Sequence, residues 1–361
     1  MTNRTDIVVG LQYGDEGKGK IVNYLASTYK YDYCLRYNGG ANAGHTIYVN
    51  NTKIVTHQIP TGFIYGVKSI ICDNCYLDID KLINEINYIK LNCNHFENIN
   101  FENLFISENC HLIMEEYKEN DDTDGKIGTT KSGIGPCAIK KYGRNGKILR
   151  NCKNEIKKLM DLNIGIKIIN TTDYLMKFNR YELSFLVEGA QGYGLDINHG
   201  DYPYVTSSHC ISTDCFNIGV PFKNKENYQL NIWGISKIYE TYVGAKNFNH
   251  PDYENNEEYL NNLSLIQKQG NEFGATTERP RKCNYLNLNY LIKSIWINHV
   301  DVLYFNKCDI LKELNIFSLF WNNSIIKFET IDDMIDFIIN KINENTELTK
   351  DKIHFQFSAE M

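Results

Sequence analysis

Apolar residues along this chain recur with two alternating periods. Runs rich in Ile, Val, Leu and Phe fall at 6–11, 67–72, 183–188, 229–235 and 301–306. Short apolar runs bounded by turn residues read as strands covered on both faces. Between them lie segments with helical spacing near 17–28, 78–91, 153–162, 286–299 and 331–344. Asp78 to Leu91 places Leu82, Ile83, Ile86, Ile89 and Leu91 on one stripe, with Lys and Glu elsewhere. The segment 331–344 does the same with Ile331, Met334, Ile335, Ile338, Ile339 and Ile342, a stripe suited to core packing. Strands separated by long crossovers predict an α/β fold, with a mainly parallel central sheet flanked by helices. No repeat and no Pro/Gly/Ser linker interrupts the pattern, so one large domain over 1–361 with loop insertions is expected. The polar, glycine-bearing stretches 37–46, 121–146, 189–209 and 244–281 predict long active-site loops at the carboxyl ends of the strands.

Composition removes several classes of function. The net charge of −6 comes with no basic tail or stripe, which argues against a nucleic-acid partner. No apolar run approaches ~18 residues, so no membrane span is expected, and the N-terminal stretch lacks a signal-peptide core. Eleven cysteines, an odd number at irregular spacing, read as reduced thiols of a cytoplasmic protein. Cys72 and Cys75 bracket the turn Asp73-Asn74, with no second pair to complete a metal site. The abundance of Asn, Ile, Lys and Tyr reflects coding bias and carries no chemistry.

Chemistry enters with the first loop. Gly10 to Lys20 reads Gly-Leu-Gln-Tyr-Gly-Asp-Glu-Gly-Lys-Gly-Lys directly after Ile7-Val8-Val9. Glycines let backbone N–H groups approach a polyphosphate, and the following helix N-terminus adds positive potential. Gly14 to Lys20 fits a P-loop-like frame, but Ile21 stands where a P-loop has its metal-holding Ser or Thr. Asp15 is then the candidate to bind a cation or take a proton. In Asn38–Thr46, His45 can donate to a phosphate oxygen and Gly44 can offer a carbonyl to a hard cation. The segment Ile127–Pro136 carries Thr129 and Thr130 among glycines, a composition suited to a monophosphate or carboxylate, with Arg144 and Arg150 nearby. The Gln191 amide, after Glu188-Gly189-Ala190, has the donor and acceptor that a purine edge requires. Thr276, Thr277, Arg279 and Arg281 cluster in a way that suits a carboxylate-bearing substrate. Asn306-Lys307-Cys308-Asp309 follows an apolar strand; the Asp309 carboxylate can accept from the N1–H and 2-amino group of guanine together.

These segments, in order from about residue 7 to 310, resemble the adenylosuccinate synthetase family, and most of all its compact archaeal and phage branch. The resemblance implies a ligase that joins L-aspartate to C6 of a 6-oxopurine nucleotide, driven by GTP through a 6-phosphoryl intermediate. It implies Asp15 as catalytic base, His45 as stabiliser of the transferring phosphoryl group and Gln191 as a further catalytic residue. Mg²⁺ would be held by Asp15 and Gly44. GTP would be held by Gly14, Glu16, Gly17, Lys18, Gly19, Lys20, Gly44 and Thr46, with Lys307, Asp309 and Ser358 at guanine. Asn42, Thr129, Thr130, Gln191, Thr206 and Val243 match the purine-nucleotide pocket. Arg144 matches an arginine that crosses a homodimer interface to the nucleotide. Thr276, Thr277, Arg279 and Arg281 match the aspartate site. The resemblance also implies a cytoplasmic enzyme, in a host's cytoplasm if the chain is viral.

Two departures stand out. Tyr242 to Pro251 replaces the family's Arg-Val-Gly-Ala-Gly-Pro ribose loop, and Glu278 replaces a glycine in the aspartate loop. Three readings therefore stay open. The acceptor is IMP, giving adenylosuccinate. Or it is dGMP, giving N6-succino-2-amino-2′-deoxyadenylate as in the phage 2-aminoadenine pathway. Or the chain is a non-catalytic GTP-binding switch, against which the Thr276–Arg281 cluster argues.

Overall fold

Strand Asn3–Gly10 is buried from Thr5 onward and is paired in parallel on both sides. Eight of its residues register with Tyr228–Ile235 and four with Phe185–Glu188. That accounts for its unbroken apolar run: a strand flanked by strands, with both faces covered, has no solvent side. The computed structural model describes residues 3–49, 52–93, 96–121, 125–221, 224–273 and 279–358. In it the central strand belongs to a nine-stranded sheet. The order runs Ile353–Phe355, Val302–Asn306, Tyr228–Lys237, Asn3–Gly10, Phe185–Glu188, Tyr33–Arg36, Lys68–Ile71, Leu104–Ser107 and Lys167–Ile169. Every pairing in it is parallel. The expected α/β class is what the chain adopts.

At the far end of the central strand from the glycine loop, Asp6 is fully buried. It accepts from the Tyr31 hydroxyl at 2.6 Å, Trp233 Nε1 at 2.8 Å, Asn231 Nδ2 at 2.9 Å and Arg4. A buried carboxylate is tolerated because its acceptor capacity is filled, and these donors tie the two middle strands together. Residues 239–242 continue almost directly from strand Tyr228–Lys237 but leave the main sheet. They pair antiparallel with Lys282–Asn287 in a second, four-stranded sheet completed by Ser318–Trp321 and Ser324–Lys327.

The helices follow the predicted stripes closely. Helix Ile79–Asn92 begins at Asp78, whose side chain accepts from Lys81 N, and it buries Leu82, Ile86 and Ile89. Leu91 is 76% exposed: it follows Ile89 by two residues, about 200° around the helix, and faces water. Helix Ile331–Asn345 opens with a Thr330/Asp333 capping box and buries Ile331, Met334, Ile338, Ile339 and Ile342. Two stretches expected to be loops contain helices, Ile134–Tyr142 within 121–146 and Glu257–Gln269 within 244–281. In the second, Tyr259, Leu263 and Ile266 carry the buried face, a spacing diluted in sequence by Glu, Asn and Gln. All eleven cysteines are unpaired, and ten of them are buried. Among the described residues no helix is long and apolar enough to cross a membrane.

Candidate active site

The parallel sheet directs its strand ends to one edge. Gly10 opens the glycine loop, Arg36 leads to Asn38–His45, Glu188 to Gly189–Gln191, and Asn306 to Lys307. The first three of these loops border a cleft of ≈ 540 Å³, placed as ligand sites in open α/β sheets usually are.

Glu16 organises the glycine loop from within. It is 1% exposed, and its Oε1 accepts from Gln12 N at 3.1 Å and Gly14 N at 2.8 Å, while Oε2 takes Lys18 Nζ at 2.7 Å. A Cβ at Gly10 or Gly192 would collide with that carboxylate, which is why both positions are glycine. The Glu16 side chain thus holds the loop's own amides and the Lys18 ammonium. Gly14, Asp15, Gly17, Lys18 and Gly19 line the cleft. Lys20 points the other way, to Gln356 and the Ser358 carbonyl.

His45 is buried on the cleft wall, with Nδ1 on Glu188. Glu188 also accepts from Thr61 N at 2.7 Å and the Thr61 hydroxyl at 2.8 Å. Arg36 Nη1 lies 3.2 Å from His45 Nε2. Burial, then the Arg36 charge, pushes His45 down to about 4, with Glu188 opposing. Burial opposes charge on Glu188, but Arg36 and His45 outweigh it and hold the carboxyl at about 2. The ring is therefore neutral at pH 7 beside an ionised carboxylate. Sequence reasoning passed over Glu188 and Arg36, although Glu188 stood at a strand end next to glycine.

The cleft also collects Asn42, Gly44, Thr46, Thr129, Thr130, Gln191, Thr206 and Val243 from separate loops. Asp121 braces the threonine loop, accepting from the Thr129 hydroxyl at 3.2 Å and Gly133 N at 2.7 Å. Ala245 N donates to Ile127 O at 3.0 Å, joining that loop to the altered Tyr242–Pro251 segment. A Cβ on Gly244 would strike the Tyr242 hydroxyl, so the Tyr242 ring is folded beneath its own loop.

Lys307 and Asp309 start the helix after strand Val302–Asn306. They lie outside the cleft proper, on the side where Lys20 meets Gln356 and Ser358. Burial lowers Lys20 from its ordinary value, with Asp309 acting against it. Asn306 Nδ2 donates to Glu16 O at 2.7 Å, fastening this element to the glycine loop.

Arg281 reaches the cleft from the second sheet, and its Nε donates to Asp15 Oδ2 at 2.8 Å. Arg279 is exposed, with Nη1 3.4 Å from the Gly128 and Thr129 carbonyls. Thr276 and Thr277 lie outside the described residues. Arg144 stands on an exposed turn away from the cleft.

Backbone conformation marks the same loops independently of side-chain chemistry. Among the described residues other than Gly, Asn and His, positive φ occurs at Asp15 (59°), Lys131 (52°), Arg144 (60°), Gln191 (62°) and Lys307 (65°). Each costs of order 1 kcal/mol and persists only where its surroundings enforce it, and such strain gathers at functional sites. All five belong to the loops singled out in the sequence.

The adenylosuccinate synthetase profile matches residues 7–162 and 150–322. Adenylosuccinate synthetase of Thermodesulfovibrio yellowstonii is 37% identical over 347 residues, 85% of this chain and 78% of the relative. The chain belongs to the adenylosuccinate synthetase family. It is thus a member of a family of GTP-dependent ligases of purine biosynthesis. The Borrelia turicatae adenylosuccinate synthetase is 37% identical over 352 residues, 85% of this chain and 77% of the relative. A fully ligated adenylosuccinate synthetase from Plasmodium falciparum superposes with a TM-score of 0.77 at 26% identity, covering 97% of this chain and 96% of that one. The succinoaminodeoxyadenylate synthetase PurZ of cyanophage S-2L, bound to dGMP and dATP as an energy donor, shares the fold. Its TM-score is 0.71 at 20% identity, over 100% of this chain and 94% of that one.

Proposed function

We propose that this ligase condenses L-aspartate with IMP at the expense of GTP, giving adenylosuccinate, GDP and phosphate. The observation that carries the choice of donor is the Asn306–Asp309 element, bonded through Asn306 to the loop that would hold the phosphates. Asp15 takes the N1 proton, which builds negative charge on O6. O6 attacks the γ-phosphorus as the bond to the β-phosphate oxygen breaks and GDP leaves. The aspartate amine then adds at C6, the amine proton is lost, and phosphate departs with the C6–O6 bond. With Nδ1–H held by Glu188, the neutral His45 ring needs a second proton on Nε2 to donate to the phosphoryl oxygens. The ionised Glu188 and a polyanionic substrate both favour that proton.

The residues present fit a magnesium ion. Asp15 and Gly44 line the same cleft, so the Asp15 carboxylate, which accepts from Arg281 Nε at 2.8 Å, and the Gly44 carbonyl would hold it. Few protein ligands plus substrate phosphates is the usual magnesium arrangement. When bound, the ion would neutralise charge on the transferring phosphoryl group. Arg281 and Arg279, with Thr276 and Thr277, would hold aspartate. Asn42, Thr129, Thr130, Gln191, Thr206 and Val243 would hold the acceptor nucleotide. Arg144 would act in a homodimer: it is exposed beside Ile139 and Tyr142, which are 73% and 70% exposed on the preceding helix.

A second reading, dGMP as acceptor, draws on Tyr242, folded under its loop where the family pattern has an arginine, and on the dGMP named for the cyanophage relative. The test is product analysis with GTP, Mg²⁺ and L-aspartate, comparing IMP with dGMP. Adenylosuccinate from IMP supports the main reading. Preference for dGMP replaces it with the second, and GTP hydrolysis that ignores aspartate would refute both.

A further inference from the structure

Behind Arg281 lies a chain of buried charges that the reaction as outlined does not use. Glu272 is 0% exposed and Lys237 3%. Lys237 Nζ donates to both Glu272 oxygens at 2.9 Å and to the Thr241 hydroxyl at 3.0 Å. The Tyr239 hydroxyl donates to Glu272 Oε1 at 2.7 Å, and Arg281 Nη1 donates to Oε2 at 2.6 Å. Arg281 Nε continues the chain to Asp15. The sequence therefore runs Lys⁺, Glu⁻, Arg⁺, Asp⁻ from the core to the glycine loop.

Contacts to the main chain fix this group in place. Arg281 N donates to Glu272 O at 2.9 Å, Phe273 pairs with Pro280, and Gln267 Nε2 donates to Arg281 O at 2.7 Å. Glu272 and Phe273 are thus held beside Pro280 and Arg281. Lys237 is itself clamped, with its N–H on Gln12 Oε1 at 2.9 Å and its carbonyl accepting from Gln12 Nε2 at 3.1 Å.

A buried ion pair is poor value as a stability device: neutral side chains of similar volume are often as stable or more so. What this pair supplies is geometry. Arg281 Nη1 is anchored on the buried Glu272 carboxylate, and its Nε meets Asp15 on the cleft, so the guanidinium is held between the core and the cleft. Anchoring one edge lowers the ordering cost of binding with the other.

We infer that Glu272, neutralised by Lys237, is a positioning residue that fixes the Arg281 guanidinium for an anionic substrate group, a carboxylate or phosphate. The inference rests on the proposed reaction for the identity of that group.

The test is a double-mutant cycle. Glu272→Gln keeps the shape and removes the charge. The Lys237→Met, Glu272→Gln pair removes the ion pair without stranding a buried charge, so a folded variant is in hand if the single one fails. The readouts are kcat, KM for L-aspartate and for GTP, and Tm. Both variants are expected to raise one of these two KM values about tenfold, the worth of one charge-assisted hydrogen bond. In an Arg281→Ala background, Glu272→Gln is expected to change the same KM less than about twofold, because its effect passes through Arg281. Unchanged KM values in the folded variants, or full multiplication of the two effects, would overturn the inference. GTP and aspartate binding by calorimetry runs in parallel. A wild-type protein that forms no aspartate adduct defeats the proposed reaction, while the binding cycle still decides the role of Glu272.

Discussion

Glu240 offers a sharp check on the electrostatics beneath the cleft. It is 4% exposed on the strand that crosses to the second sheet, and its Oε1 accepts from Asn287 N at 3.2 Å. Burial raises its carboxyl to about 8, with the Asn287 bond and Lys246 only partly opposing. Between about 4.5 and 8 the folded protein keeps a proton that the unfolded chain has released. Stability therefore falls as pH rises through that window and levels off above it. The gap of about 3.5 pH units corresponds to at most about 5 kcal/mol. Glu240→Gln keeps the acceptor and removes the titration, so the variant should gain on the wild type as pH increases. The expected gain between about pH 5.5 and pH 9 is about 3 kcal/mol, or on the order of 5 °C in Tm. Urea or thermal unfolding of both proteins across that range reads it directly. Parallel stability–pH curves would show that Glu240 is ionised in the fold and the reasoning wrong.

Asp15→Ala should abolish product formation while near-UV dichroism and Tm stay near wild type; retained turnover would remove Asp15 from the role of base. Asp309→Asn should weaken GTP about tenfold or more and narrow the preference over ATP, read by competition kinetics, since one guanine-binding acceptor is lost. Gly192→Ala should cost GTP binding and roughly 2 kcal/mol or more of stability, because its Cβ meets the Glu16 carboxylate inside the glycine loop. A folded variant with normal GTP affinity would show that Glu16 does not hold that loop's shape.

The parts of the fold that depend on local pattern were legible in advance. The Ile7-Val8-Val9 run, the stripe ending in Ile342 and the glycine loop all declare themselves within a dozen residues. The helix Glu257–Gln269 did not, because Asn and Gln weaken its periodicity and only packing of Tyr259, Leu263 and Ile266 restores it. The motif residues were visible because loop chemistry is written in contiguous sequence. Their supports were not: Glu272 and Lys237 are 35 residues apart, and Glu188 and His45 143. A buried carboxylate looks like any other acid until the cation that justifies it is brought alongside.

The bond from Asn306 to the Glu16 carbonyl would make the proposed donor site a gauge of fixed length. In the proposed reading, the end that would read a base and the end that would grip phosphates are fastened together at their roots, so neither can drift without displacing the other. A lineage exchanging guanine for another base would have to re-lay both ends at once. In the proposed reading, donor identity should accordingly change in rare, concerted steps.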